Sequence, residues 1–116
     1  MYIDGFVIPV PTGNREAFID HARTVDGLFL EFGATRIVEC LGDDVPAGKL
    51  TDFARSVASE EGEIVAFSWI EWPDKATRDA AFVRIQTDPR MMAEPAPFDV
   101  KRMIFGGFDC VIDMKG

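Results

Sequence analysis

The sequence predicts an α+β domain in which two helices pack on one four-stranded antiparallel sheet, in the order β-α-β-β-α-β. Three observations carry this. Residues 2–10 and 63–72 are strand-length runs dense in β-branched and aromatic residues. Between them Phe18, His21, Val25, Leu28 and Phe32 recur at intervals of three and four, which places them on one helical face. Ten phenylalanines and a hydrophobic share of 47% in 116 residues are enough for one dense core, and a chain of this size forms one domain, 1–116.

The first strand spans Tyr2 to Val10 and closes on Pro9 and Pro11, where a residue without a backbone N–H is tolerated. Thr12 and Gly13 turn the chain into the first helix, and Gly33 ends it with a residue free to adopt a left-handed conformation. Thr35 to Leu41 alternates β-formers with polar residues as a second strand, and GDDVPAGK after it is dense in turn formers. In residues 51–58, Phe53 and Val57 fit a short helix capped by Asp52 as well as they fit strand alternation; the short helix is the preferred reading.

IVAFSWI lies inside the third strand, Glu63 to Trp72, and is a continuous apolar run of the kind that is buried on both sides. Pro73 and Asp74 open the second long helix, with Asp74 as N-cap and as a partner for Arg78 one turn on. Asp88-Pro89 starts a short helical turn through Met92, which Pro95 and Pro97 stop. The fourth strand runs from Lys101 to Asp113, and Gly106-Gly107 within it reads as a bulge.

A ferredoxin-like fold satisfies this order with short connections and sets strands one and three in the middle of the sheet. Two helices cover one face. The other face is also apolar, because side chains alternate along a strand: Val65, Phe67 and Trp69 oppose Ile64, Ala66 and Ile70, and Ile3 and Val7 oppose Phe6, Ile8 and Val10. In the fourth strand Phe105 and Val111 oppose Ile104, Phe108 and Ile112 in the same way. Leaving five or six large side chains in water would cancel a typical net stability, at about 1.5–3 kcal/mol each. A homodimer that packs this face against itself is therefore expected.

The chain resembles the YbaA-like family of domains of unknown function. The resemblance rests on RIVEC (36–40), DDVPAGKLTDF (43–53), FSWIEWP (67–73), RDAA (78–81), DPRM (88–91) and PFDVKRMIFGGF (97–108). It runs nearly end to end and implies a dimeric α/β barrel, two ferredoxin-like sheets face to face. It implies no activity, since the related superfamily includes monooxygenases, isomerases, haem-binding enzymes and proteins without a known reaction.

With 20 acidic against 12 basic residues the net charge is −8, and the arginines are scattered. Such a field repels phosphate backbones and anionic headgroups, so neither nucleic acid nor membrane is an expected partner. No apolar run approaches the roughly 20 residues a membrane helix needs. The chain opens directly on a strand pattern rather than an export signal, so a cytoplasmic location is expected. Cys40 and Cys110 sit in apolar strand-like runs and read as buried thiols, bridged only if their strands are close. No cofactor and no metal site is expected, because no cluster gathers zinc-type ligands.

No spacing specifies a reaction. The lone histidine, His21, lies on the apolar stripe of the first helix, where it serves as a general base or packs as a core residue. Glu39, Glu71 and Asp109 are acidic, and Arg36 and Arg102 basic, inside otherwise apolar strands. His21, Glu39 and Glu71 are the catalytic candidates if there is catalysis; Arg36 and Arg102, able to grip a carboxylate, and Trp69, able to stack on a planar group, are the ligand-binding candidates. Trp69 and Trp72 point to opposite sides, Asp43 and Asp44 with Asp52 flank a solvated turn, and Met91 and Met92 with the neighbouring prolines read as a flap near the entry to strand four. A small-molecule binding or regulatory protein is the first expectation. A cofactor-independent monooxygenase- or isomerase-like enzyme acting on a small aromatic or carbonyl compound is the alternative.

Overall fold

A computed structural model describes residues 1–116, apart from the side chain of Met92. The strands are β1 (Tyr2–Pro11), β2 (Arg36–Leu41), β3 (Glu63–Trp72) and β4 (Ile104–Asp109), and the helices are α1 (Arg15–Glu31), α2 (Phe53–Ser56) and α3 (Lys75–Thr87). They form an antiparallel sheet in the order β2-β3-β1-β4, with β1 and β3 central.

Local chemistry sets the element ends. Gly33 (φ 121°) follows α1 in the left-handed region that the sequence reserves for glycine there. Asp52 accepts from Arg55 N at 2.7 Å and Asp74 from Thr77 N at 2.7 Å, capping α2 and α3. Residues 51–58 thus resolve in favour of the short helix. Asp88 does the same for the turn Pro89–Met92, through Arg90 N at 2.9 Å.

Along β1 and β3 the register fixes which side chains share a face. Asp4, Phe6, Ile8 and Val10 stand with Ile70, Ser68, Ala66 and Ile64 beneath α1 and α3. Phe18 and Leu28 of α1 and Phe32, its C-cap, are buried against that side, as is Trp72. The buried carboxylate of Asp4 accepts from Trp72 Nε1 at 2.8 Å and from Arg78 Nη2 at 2.9 Å. Arg78 therefore reaches across to β1 instead of pairing with Asp74, and its guanidinium lies 4.4 Å from the Phe82 ring centroid.

Ile3, Val7, Phe67, Trp69, Ile104 and Phe108 occupy the opposite face. That face is only partly bare. Phe53 of α2 meets Phe67 edge-on at 6.0 Å, so α2 lies on this side, and Val57, Pro9 and Val65 at that end are buried. Beyond it Phe67 is 43%, Ile104 44% and Phe108 62% exposed.

Three expectations need correction. β4 ends at Asp109 rather than Asp113, because β1 starts at Tyr2 and offers no backbone beyond the bond from Cys110 N to Met1 O. It starts at Ile104 because Asp99 closes a turn onto Lys101 N and Arg102 N. Gly106-Gly107 is not a bulge: Gly5 faces Gly106 and Asp4 faces Gly107 in unbroken register. The glycines instead permit close approach, since a Cβ at Gly107 would collide with Tyr2 Oη and the Arg78 guanidinium. Finally, Cys40 is exposed on the edge strand and Cys110 half-buried where β4 ends, and both are free thiols.

Candidate functional site

Between α1, the covered sheet face and the segment 91–103 lies a cavity of about 300 Å³. Its wall is mostly carbon, from Phe6, Ile8, Phe18, Phe29, Ile70 and Phe98 among others, and five polar side chains interrupt it: His21, Asp26, Glu39, Ser68 and Glu94. An apolar hollow with a few converging polar groups is the usual form of a small-molecule site.

Sheet register brings two of the five together. Glu39 of β2 stands directly opposite Ser68 of β3, which in turn stands opposite Phe6 of β1. From above, α1 lowers Asp26, one turn beyond the buried Ala22, onto Glu39. The two carboxyl groups come together at the cavity wall, with Ser68 beside Glu39 across the strand pair. Two carboxyl groups set near each other repel when both are charged, which favours a proton on one of them.

The environment supplies the reason to keep that proton. Burial, then the bond to Glu39 and its charge, push Asp26 up from 3.8 to about 8. Burial also raises Glu39, offset in part by its bonds to Asp26 and Ser68. Glu39 is exposed along the edge strand and Asp26 is half-buried on α1. His21 moves the other way: burial lowers it, against the nearby charge of Glu94, and its ring sits edge-on to Phe98 at 5.9 Å. The cavity thus gathers two carboxyl groups whose proton affinity is raised and an imidazole whose proton affinity is lowered, an arrangement able to give or take a proton.

Of the catalytic and ligand-binding candidates read from the sequence, His21 and Glu39 line this cavity. Arg36, Trp69 and Glu71 meet on the opposite face of the sheet, where Trp69 Nε1 donates to Glu71 Oε2 at 2.9 Å and Arg36 lies 3.5 Å from the same carboxylate. Arg102 is apart from both groups. It forks onto Glu63 with two bonds of 2.7 Å and also holds Asp99 and Ala58 O, tying the approach to β4 to the start of β3. Among the loop aspartates, Asp52 is engaged by Arg55 N and by Gly48 N at 3.1 Å. Met91 lines the cavity, whereas the Met92 side chain lies outside the described residues. Asp26 was not legible as a partner, although an acidic residue one turn from Ala22 and three before Phe29 on the apolar stripe was the available signal.

A second concavity, of about 680 Å³, lies on the uncovered face between Trp69, Phe67, Phe108 and the chain beyond β4. It is lined almost wholly by carbon. Among the described residues, no helix is long and apolar enough to cross a membrane.

Comparison with known proteins bears on the chain as a whole. Residues 1–100 match the family described as "Protein of unknown function (DUF1428)". The chain belongs to this family. It is 54% identical to the "Uncharacterized protein YbaA" of Escherichia coli (strain K12) over 114 residues, 97% of each chain, and to that of Shigella flexneri to the same extent. That identity over nearly the whole chain makes this a YbaA-like protein. A crystal structure of an uncharacterized NIPSNAP domain protein from Burkholderia xenovorans superposes with a TM-score of 0.53 over 100% of both chains, at 12% identity. That likeness is one of fold alone.

Proposed function

We propose that this protein is a single ferredoxin-like domain that pairs through its uncovered sheet face into a dimeric α/β barrel and binds a small molecule in the cavity under α1. The observation that carries the binding reading is the convergence of Asp26, Glu39, Ser68 and His21 in an otherwise carbon-lined hollow. The pairing reading is supported by the exposed Phe67, Ile104 and Phe108, which share one carbon-lined face of the sheet. Free thiols at Cys40 and Cys110 fit a reducing, cytoplasmic setting. A thermal-shift screen against a metabolite panel tests the binding reading: a ligand at 100 times its Kd adds about 2.7 kcal/mol. A panel in which nothing raises the melting temperature contradicts it.

The carboxyl pair favours a second reading, a cofactor-independent acid–base enzyme acting on a small aromatic or carbonyl compound. Groups whose proton affinities are driven apart, Asp26 and Glu39 upward and His21 downward, are what such chemistry uses. With a turned-over compound in hand, His21→Gln and Glu39→Gln each slow the reaction at least a hundredfold, by about the usual worth of a positioned acid or base. Unchanged rates in both variants remove this reading.

A further inference from the structure

The cavity has an unusual balance of charge. Its titratable lining is His21, Asp26, Glu39 and Glu94, and neither lysine nor arginine is among the described residues that wall it. His21 is kept neutral by burial and so adds no positive charge of its own. Asp26 and Glu39 also wall the open recess between α1 and β2, where Arg15, Arg23 and Asp43 stand on the solvent side. The carboxyl pair therefore separates solvent from a carbon-lined interior. An anionic ligand would meet like charge there, and a neutral one would leave the pair as it is. A cation would answer both carboxylates at once.

We propose that the cavity takes a small organic amine, its ammonium group held between the Asp26 and Glu39 carboxylates and its apolar body filling the interior. This rests on the cavity being a binding site. On binding, the ammonium nitrogen keeps its own protons and donates to the two carboxylates, while the proton held by the pair leaves to solvent. The net charge of the site is −1 before and after, counting the pair and ligand alone, because the arriving ammonium takes the place of the departing proton.

Calorimetric titration of the full chain at pH 7 with benzylamine, benzyl alcohol and benzoate, in phosphate and in Tris, tests this. Benzylamine is expected to bind roughly tenfold or more tighter than benzyl alcohol, and benzoate not to bind, because the charged partner is lost in one and repelled in the other. The difference in heat between the buffers should correspond to about one proton released per amine bound. In Asp26→Asn, or in Glu39→Gln if the first folds poorly, the amine loses its advantage and the proton release vanishes while the alcohol still binds. Equal affinity for amine and alcohol in the natural protein, or amine binding without proton release, overturns the inference and leaves the cavity reading standing. Failure of all three compounds to bind overturns it as well, and the metabolite panel then decides separately whether the cavity reading falls.

Discussion

Phe108→Asp is the sharpest perturbation of the proposed pairing. The ring of Phe108 lies over Gly5 and Gly106, where added Cβ atoms would sit 3.6 Å from it, and 62% of the residue is in water. Burying a large apolar side chain completely is worth about 1.5–3 kcal/mol, so covering the exposed part gains about 1–2 kcal/mol. A two-fold axis counts that gain twice, giving about 2–4 kcal/mol per dimer, a factor of roughly 30 to nearly a thousand in Kd. The unpaired carboxylate then adds a desolvation penalty, which makes that factor a lower bound. Sedimentation velocity at micromolar concentration should show the natural protein as a dimer and Phe108→Asp as a monomer with an unchanged circular dichroism spectrum. A natural protein that sediments as a monomer, or a variant that pairs equally well, refutes the reasoning.

Arg78→Met leaves the Asp4 carboxylate buried with only Trp72 Nε1 beside it, and the loss should be about 3–5 kcal/mol by urea unfolding, as for other broken buried ion pairs. A loss under 1 kcal/mol would show that water reaches Asp4 and replaces the guanidinium. The carboxyl pair makes a prediction about pH. An acid whose folded-state affinity for protons is raised, here Asp26 from 3.8 to about 8, favours folding most below its unfolded value and loses that contribution as pH climbs through the folded one. Denaturation midpoints of Asp26→Asn should therefore fall less than those of the natural protein between pH 5 and 8, and parallel curves would contradict this. Glu63 has the opposite sign. Its bond to Arg102 holds it down from 4.5 to about 2, so stability is lost as pH falls through that window, and Glu63→Gln should flatten the acid limb.

The strands and long helices were legible because they depend on patterns local to the chain. Phe18, Leu28 and Phe32 announce a helix face wherever that helix packs, and Glu63 to Trp72 is a strand on composition alone. Caps at Asp52, Asp74 and Asp88 were readable for the same reason. What failed depends on partners distant in sequence. The end of β4 is set by where β1 begins, and the role of Gly107 by Tyr2 and Arg78 arriving from two other elements. The site shows the same division. Alternation along β2 put Glu39 on one face and Arg36 on the other, but the sequence alone could not state which face the helices cover, and so grouped them. Asp26 was invisible as a partner because its meaning comes from Glu39, across a helix–sheet contact that no spacing encodes.

The central claim is that Asp26 and Glu39, paired at the cavity wall, are both raised in proton affinity, so that one of them carries a proton at neutral pH. Carboxyl ¹³C resonances of Asp26 and Glu39, followed by NMR across a pH titration of the unliganded protein, test it most directly. The account predicts an Asp26 midpoint near 8, with the two signals shifting together. Independent midpoints for both groups in the ordinary carboxylate range of about 4 would contradict it.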